Sequence, residues 1–180
     1  MKINRVKPIF CDGDWRAFTF VKVETDEGLV GYGECTDNRS PLGLGGCVRD
    51  LEPLLIGKDP RAVEKLYHEM CQHSRMSPGG IAQKAIAGVE IALWDIKAKA
   101  LNVPLYELFG GPIRDRIRVY WSHCGTYRAQ SPEMYPDKPV LKTYDDIARL
   151  GEEVVAKGYT ALKTNIVVPG EKPRVLWIQD

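Results

Sequence analysis

The chain has 180 residues, 44% of them hydrophobic, with 25 Lys and Arg against 24 Asp and Glu and a formal net charge of +1. That apolar content supports a buried core and excludes bulk disorder, and so small a net charge leaves no long-range field to draw the chain to nucleic acid or an anionic bilayer. The expected partner is therefore a small molecule, with no nucleic acid and no membrane.

Five cysteines, Cys11, Cys35, Cys47, Cys71 and Cys124, form no Cys-x-x-Cys pair. They read as free thiols rather than a disulfide framework or a zinc site. The first ten residues lack an apolar h-region and a small-residue cleavage site, so a cytoplasmic location is expected.

In chain order, residues 2–10 read as an edge strand that tolerates Pro8. Turn chemistry follows at Cys11, Asp12, Gly13 and Asp14. Residues 15–24 alternate Ala17, Thr19, Val21 and Val23 against Phe18, Phe20, Lys22 and Glu24, which predicts a strand. Residues 25–28 form a polar turn, and residues 29–34 return as the third strand of an antiparallel meander. Residues 36–46, with Gly43, Gly45, Gly46, Ser40 and Pro41, read as a flexible loop; no phosphate-binding glycine motif fits. Residues 47–56 follow a helical pattern closed by Gly57. Asp59 and Pro60 then open a second helix, as cap and first-turn residue, with Val63, Leu66, Tyr67 and Met70 as its buried stripe. His68 and His73 are five apart, which does not place them on one helical face for a metal.

The longest patterned stretch runs over residues 79–111. Ala82, Ile86, Val89, Leu93, Ile96 and Ala100 recur at steps of three and four, placing a core face on a long amphipathic helix. Asn102 and Pro104 stop it, and a further short helix ends at Gly110 and Gly111. Asp95 and Lys99, one turn apart, read as an i,i+4 pair.

Beyond Gly111, residues 117–121 alternate as a strand ending at His123, Cys124 and Gly125. Residues 126–142 form a polar, proline-bearing connection of the length of a lid or a disordered loop. A capping box at Thr143 to Asp146 opens a helix that buries Ile147, Leu150 and Val154, and residues 159–168 read as a second strand. Strand, helix, strand is a parallel βαβ unit, and ligands lie at the carboxyl ends of such strands, where His123, Lys163 and Asn165 fall. Residues 167–180 read as an inserted loop or a following helix.

This order, together with VETDEGLVGYGE at 23–34, IGKDP at 56–60, AIAGVEIALWDIKAKALNVPLYELFGG at 85–111 and ALKTN at 161–165, resembles the mandelate racemase branch of the enolase superfamily. The resemblance implies an α+β capping domain over 1–112, a three-stranded antiparallel meander plus helices. It is followed over 113–180 by the first βαβ unit of a (β/α)8-type barrel, incomplete in this chain.

Family chemistry starts by removing the proton α to a carboxylate, with Mg²⁺ holding the enediolate. Many members carry Lys-x-Lys on the second barrel strand; here the pair is Lys163 and Asn165. An amide has no basic lone pair to accept that proton, so the pattern resembles galactonate-type acid-sugar dehydratases rather than racemases. Lys163 is then a fixed cation beside the substrate carboxylate, Asn165 hydrogen-bonds substrate oxygens, and His123 is a polar substrate contact. The capping loops correspond to residues 11–16, with Trp15 and Arg16 as substrate contacts, and to residues 36–45.

The family's metal ligands belong to the third to fifth barrel strands, which this sequence does not contain, so Mg²⁺ ligands and a second acid-base residue are expected elsewhere. Completion by further chain, a companion chain or a homo-oligomer is the accompanying expectation. The alternatives are a racemase, epimerase or cycloisomerase of the same superfamily, and a non-catalytic capping fragment acting as a binding or oligomerisation module.

Overall fold

Alternation in the second strand decides which way the amino-terminal sheet faces. Thr19, Val21, Val23 and Thr25 are buried, while Phe18, Phe20, Lys22 and Glu24 between them are only partly covered. In the computed structural model, which describes residues 1–13 and 16–176, the chain divides into two units, Met1–Ile113 and Arg114–Asp180.

The first unit opens with an antiparallel sheet ordered β1 (Ile3–Asp12), β2 (Ala17–Thr25), β3 (Val30–Glu34). A bulge between Ile3 and Arg5 shifts the β1 register. Ile3 and Val6 would face opposite sides of a regular strand; across the bulge both are buried. Pro8 is accommodated because β1 is an edge strand.

Helices α1 (Pro41–Leu55), α2 (Val63–His73) and α3 (Gly80–Ala100) supply the rest of the core. Leu44, Leu55, Leu66, Met70, Ile86, Leu93 and Ile96 are all at most 1% exposed. The expected face of α3 is widened by Ala85, Gly88 and Ala92, and Ala100 is exposed instead, beyond the reach of the core.

Strand β3 lies directly on α3. A Cβ at Gly31 would sit 2.0 Å from the Ala92 carbonyl oxygen, and one at Gly33 would sit 2.0 Å from that of Gly88. Backbone therefore meets backbone through glycine. The Asp95 carboxylate accepts from the Tyr32 amide at 3.0 Å, and Lys99 donates to the Val30 carbonyl at 2.7 Å and to Asp95 at 2.7 Å. The i,i+4 pair thus also satisfies polar groups of an edge strand.

Two helix starts differ from the expected ones. Residues 41–46 are the start of α1, not part of a loop: Pro41 occupies the first turn. Gly43 and Gly45 admit neighbours, since a Cβ at Gly45 would lie 2.5 Å from the Phe10 ring and one at Gly43 3.2 Å from Ile81. The second helix begins at Val63 rather than at Asp59-Pro60. Asp59 instead forms a turn, accepting from the Arg61 amide at 2.9 Å and pairing with its guanidinium at 2.6 Å.

In the second unit, Trp121 and Leu162 form a parallel bridge, and α5 (Tyr144–Ala156) lies between them in sequence. The capping box is complete: Thr143 Oγ1 accepts from the Asp146 amide, and the Asp146 carboxylate accepts from the Thr143 amide. Ile147 is half-buried; Leu150 and Val154 pack with Cys124 and Leu141.

The expected strand at 117–121 is paired only at Trp121 among the described residues, and Ile117 and Val119 are exposed, because a strand without neighbours forms no ladder. Residues 126–142 carry local structure rather than disorder. They hold α4 (Thr126–Gln130), a 3₁₀ turn at Pro132–Met134 and the buried Leu141. Over its described residues, up to 176, the segment after Val167 is a hairpin rather than a helix: β4 (Ile166–Val168) pairs antiparallel with β5 (Arg174–Leu176), bringing Val175 against Val167. No described helix is long and apolar enough to cross a membrane.

Candidate functional site

The parallel pairing in the second unit is held by three backbone hydrogen bonds. Trp121 N donates to Ala161 O at 3.2 Å, Lys163 N to Trp121 O at 2.9 Å, and Cys124 N to Lys163 O at 2.9 Å. The slanted pattern suits parallel neighbours and fixes Lys163 beside the end of the first strand. Leu162 and Thr164 line a cavity of about 240 Å³ with Ile147 and Leu150 of α5. Asn165 and Val167 line it as well, whereas Lys163 does not. Lys163 is exposed, and among the described residues its ammonium has no hydrogen-bond or ion-pair partner.

The first strand ends in a left-handed turn, with His123 at φ 52° and Gly125 at φ 76°. Such a φ is uncommon for histidine. At Gly125 a side chain is also excluded by contact, because a Cβ would sit 2.5 Å from Leu150 and 2.8 Å from Leu141. His123 is half-buried, its ring 5.8 Å from that of Tyr127, and it lines a small cavity with Trp121, Arg128 and Tyr135. Cys124 is 1% exposed, and burial pushes its thiol pKa up, so it stays a neutral packing group rather than a nucleophile.

Asn165 is half-buried. Thr126 Oγ1, 1% exposed at the start of α4, donates to Asn165 Oδ1 at 3.0 Å. Thr164 Oγ1 donates to the Cys124 carbonyl at 2.7 Å, a second tie between the strand ends. At the other end of α4 the buried Arg128 pairs with Glu153 of α5 at 2.7 Å. Lys157 and Lys138 approach the same carboxylate at 3.1 and 3.5 Å. The Arg128 hydrogen bond, foremost among these contacts, holds the Glu153 carboxyl at about 2. Lys157 Nζ also lies 4.4 Å from the Trp121 ring centroid, with Arg128 at 5.7 Å.

Of the residues singled out from sequence, the second unit thus brings Asn165 onto α4 and Lys163 beside the strand end, while His123 turns into the Trp121 cavity. Arg16 belongs to the first unit. It is half-buried, with its guanidinium 4.4 Å from the Phe18 ring centroid and its carbonyl accepting from Gly13 at 3.0 Å. Trp15 lies outside the described residues. Thr126, Arg128 and Glu153 join the site without a clear mark in the sequence. Their signal was faint: a threonine directly after a strand-ending glycine, and a glutamate beside the buried register of α5.

Among the described residues no three His, Cys, Asp or Glu side chains gather as a metal site. The described side chains supply no ligand set for a Mg²⁺ ion.

Residues 13–110, more than half of the chain, match the family model for the mandelate racemase / muconate lactonizing enzyme N-terminal domain. The chain is 46% identical over 120 residues to a D-galactonate dehydratase of Verminephrobacter eiseniae, covering 67% of this chain and 31% of that protein. It is 36% identical over 171 residues to a D-mannonate dehydratase of Rhizorhabdus wittichii, covering 94% of this chain and 38% of that one. A crystal structure of a candidate L-alanine-DL-glutamate epimerase from Burkholderia xenovorans LB400, bound to magnesium and fumarate, superposes with a TM-score of 0.85 at 38% identity, over 96% of this chain and 42% of that one. The chain thus spans about a third of the length of the curated relatives it matches. An antiparallel sheet of three strands packed on α1 to α3, matched by this family model over residues 13–110, makes the chain a member of the mandelate racemase/muconate lactonizing enzyme family of the enolase superfamily, with the capping fold and a partial barrel.

Proposed function

We propose that the chain is part of an acid-sugar dehydratase. The reaction removes the α-proton of an aldonate-type acid and breaks the β-carbon–oxygen bond; hydroxide leaves as water, and the enol becomes a 2-keto-3-deoxy acid. The observation that carries this reading is Lys163, an exposed cation with no partner among the described residues, two positions before Asn165 where a second lysine would supply a base.

In this reading the Lys163 ammonium sits beside the substrate carboxylate and stabilises the negative charge that grows as the α-proton leaves. Asn165 donates to a substrate oxygen, His123 is a further polar contact, and Arg16 and Trp15 are contacts from residues 11–16. Residues 1–112 act as the capping domain and 113–180 as the start of the barrel. The proton-accepting base and the ligands for Mg²⁺ belong to residues other than those described. The protein works in the cytoplasm as a homo-oligomer or with a companion chain. The dehydratase names of two relatives support the reaction class.

The description of the Burkholderia protein favours a second reading, epimerisation. One experiment separates them: incubation with a panel of sugar acids and Mg²⁺ in D₂O. Release of a 2-keto acid is the expected result. Deuterium entering the α-carbon without loss of water would indicate a racemase or epimerase. Neither outcome on any acid would leave the binding or oligomerisation module as the better account.

A further inference from the structure

We propose that Thr126 is a positioning residue that makes Asn165 a pure hydrogen-bond donor, so that Lys163 and Asn165 together take an oxygen acceptor such as a carboxylate or hydroxyl. The proposal rests on the dehydratase reading for its substrate, but its geometry stands apart from it. A carboxamide offers one acceptor oxygen and two N–H donors, and which end meets a ligand depends on what holds the other. Here Thr126 Oγ1 lies 3.0 Å from Asn165 Oδ1, an oxygen that can only accept, so the hydroxyl donates and occupies the amide's acceptor end. The two N–H bonds are left for a ligand.

Thr126 is itself held. It is 1% exposed, its amide donates to the His123 carbonyl at 3.1 Å, and α4 is tied down two residues on by the buried Arg128 against Glu153. The hydroxyl is therefore presented from a fixed backbone. Lys163 precedes Asn165 by two residues at the same strand end, Lys163 exposed and Asn165 half-buried. An ammonium and an amide NH₂ from one strand end supply donors only. They suit an anionic or hydroxyl oxygen and reject an ammonium or a guanidinium.

The test compares Thr126→Val, which keeps shape and loses the hydroxyl, with Thr126→Ser, which keeps it. The first readout is the Asn165 side-chain NH₂ pair in a ¹⁵N correlation spectrum, identified by its loss in Asn165→Asp. Thr126→Val shifts or broadens that pair and Thr126→Ser restores it. An unmoved pair in Thr126→Val overturns the proposal. The second readout is turnover of D-galactonate: Thr126→Val raises KM about tenfold with kcat little changed, and Thr126→Ser recovers most of the loss. A moved amide pair with KM unaltered also overturns the positioning role. If the unmodified protein turns over no sugar acid, the dehydratase reading fails, while the amide pair still decides whether Thr126 orients Asn165.

Discussion

The two units solve the same packing problem to different degrees. In Met1–Ile113 each strand is paired, and one face of the sheet is covered by helices whose buried side chains form a continuous core from Ile3 to Ile96. In Arg114–Asp180 the buried cluster is Cys124, Leu141, Leu150 and Val154, while Ile117, Val119, Leu162 and Ile166 remain exposed. The more lightly packed unit is also the one whose strand ends carry Lys163, Asn165 and His123. Stability of the first unit comes from apolar burial and close backbone contact; that of the second leans on specific polar ties.

The sharpest way to break this comparison is to cut the same side chain from both cores. Leu93→Ala, in a fully buried site, is expected to cost about 4 kcal/mol, and Leu150→Ala, beside an existing cavity, about 2 kcal/mol. Urea denaturation curves of the two variants measure both, and equal losses would erase the contrast. Next in size is Gly33→Ala, whose added Cβ would meet the Gly88 carbonyl oxygen at 2.0 Å. Separating β3 from α3 is expected to cost about 3 kcal/mol by the same measurement.

The polar ties of the second unit predict a pH effect. Glu153 is held at about 2 in the folded chain, against an ordinary value of 4.5. A carboxyl whose folded pKa is depressed contributes stability that is present above the unfolded pKa and is lost as pH falls through the folded one. The contribution is therefore full above about pH 5 and gone near pH 2, worth roughly 1–2 kcal/mol once solvent screening is allowed for. Glu153→Gln should flatten the dependence of the urea midpoint over that range. The smallest effect is expected at the exposed clip of the first unit: Asp95→Ala should cost about 0.5–1 kcal/mol and speed amide exchange at Tyr32.

Much of the first unit was legible because its signals are local and repeated. Period two in β2, the 3.6-residue recurrence in α3 and the chain stop at Pro104 each point to one element. The Gly43, Gly45 and Gly46 run misleads because glycine marks both flexibility and close approach, and only the position of the Phe10 ring tells which applies.

In the second unit the capping box at Thr143 was readable, since it is a four-residue pattern. The roles of Thr126 and Arg128 were not. Each depends on a partner 39 or 25 residues away, and no local pattern encodes such a pairing. Lys163 and Asn165 were singled out from a resemblance, and the backbone bond from Lys163 to Trp121 accounts for their place beside the first strand's end.

The proposed chemistry depends on the cation at Lys163 more than on any other group. Its most direct test is kcat/KM of Lys163→Met against the unmodified protein on the most active sugar acid, with the urea midpoint of each measured alongside. The account predicts a loss of about a hundredfold or more with the midpoint unchanged, as expected when a fixed charge that stabilises the transition state is removed. A value within twofold of the unmodified protein would contradict it.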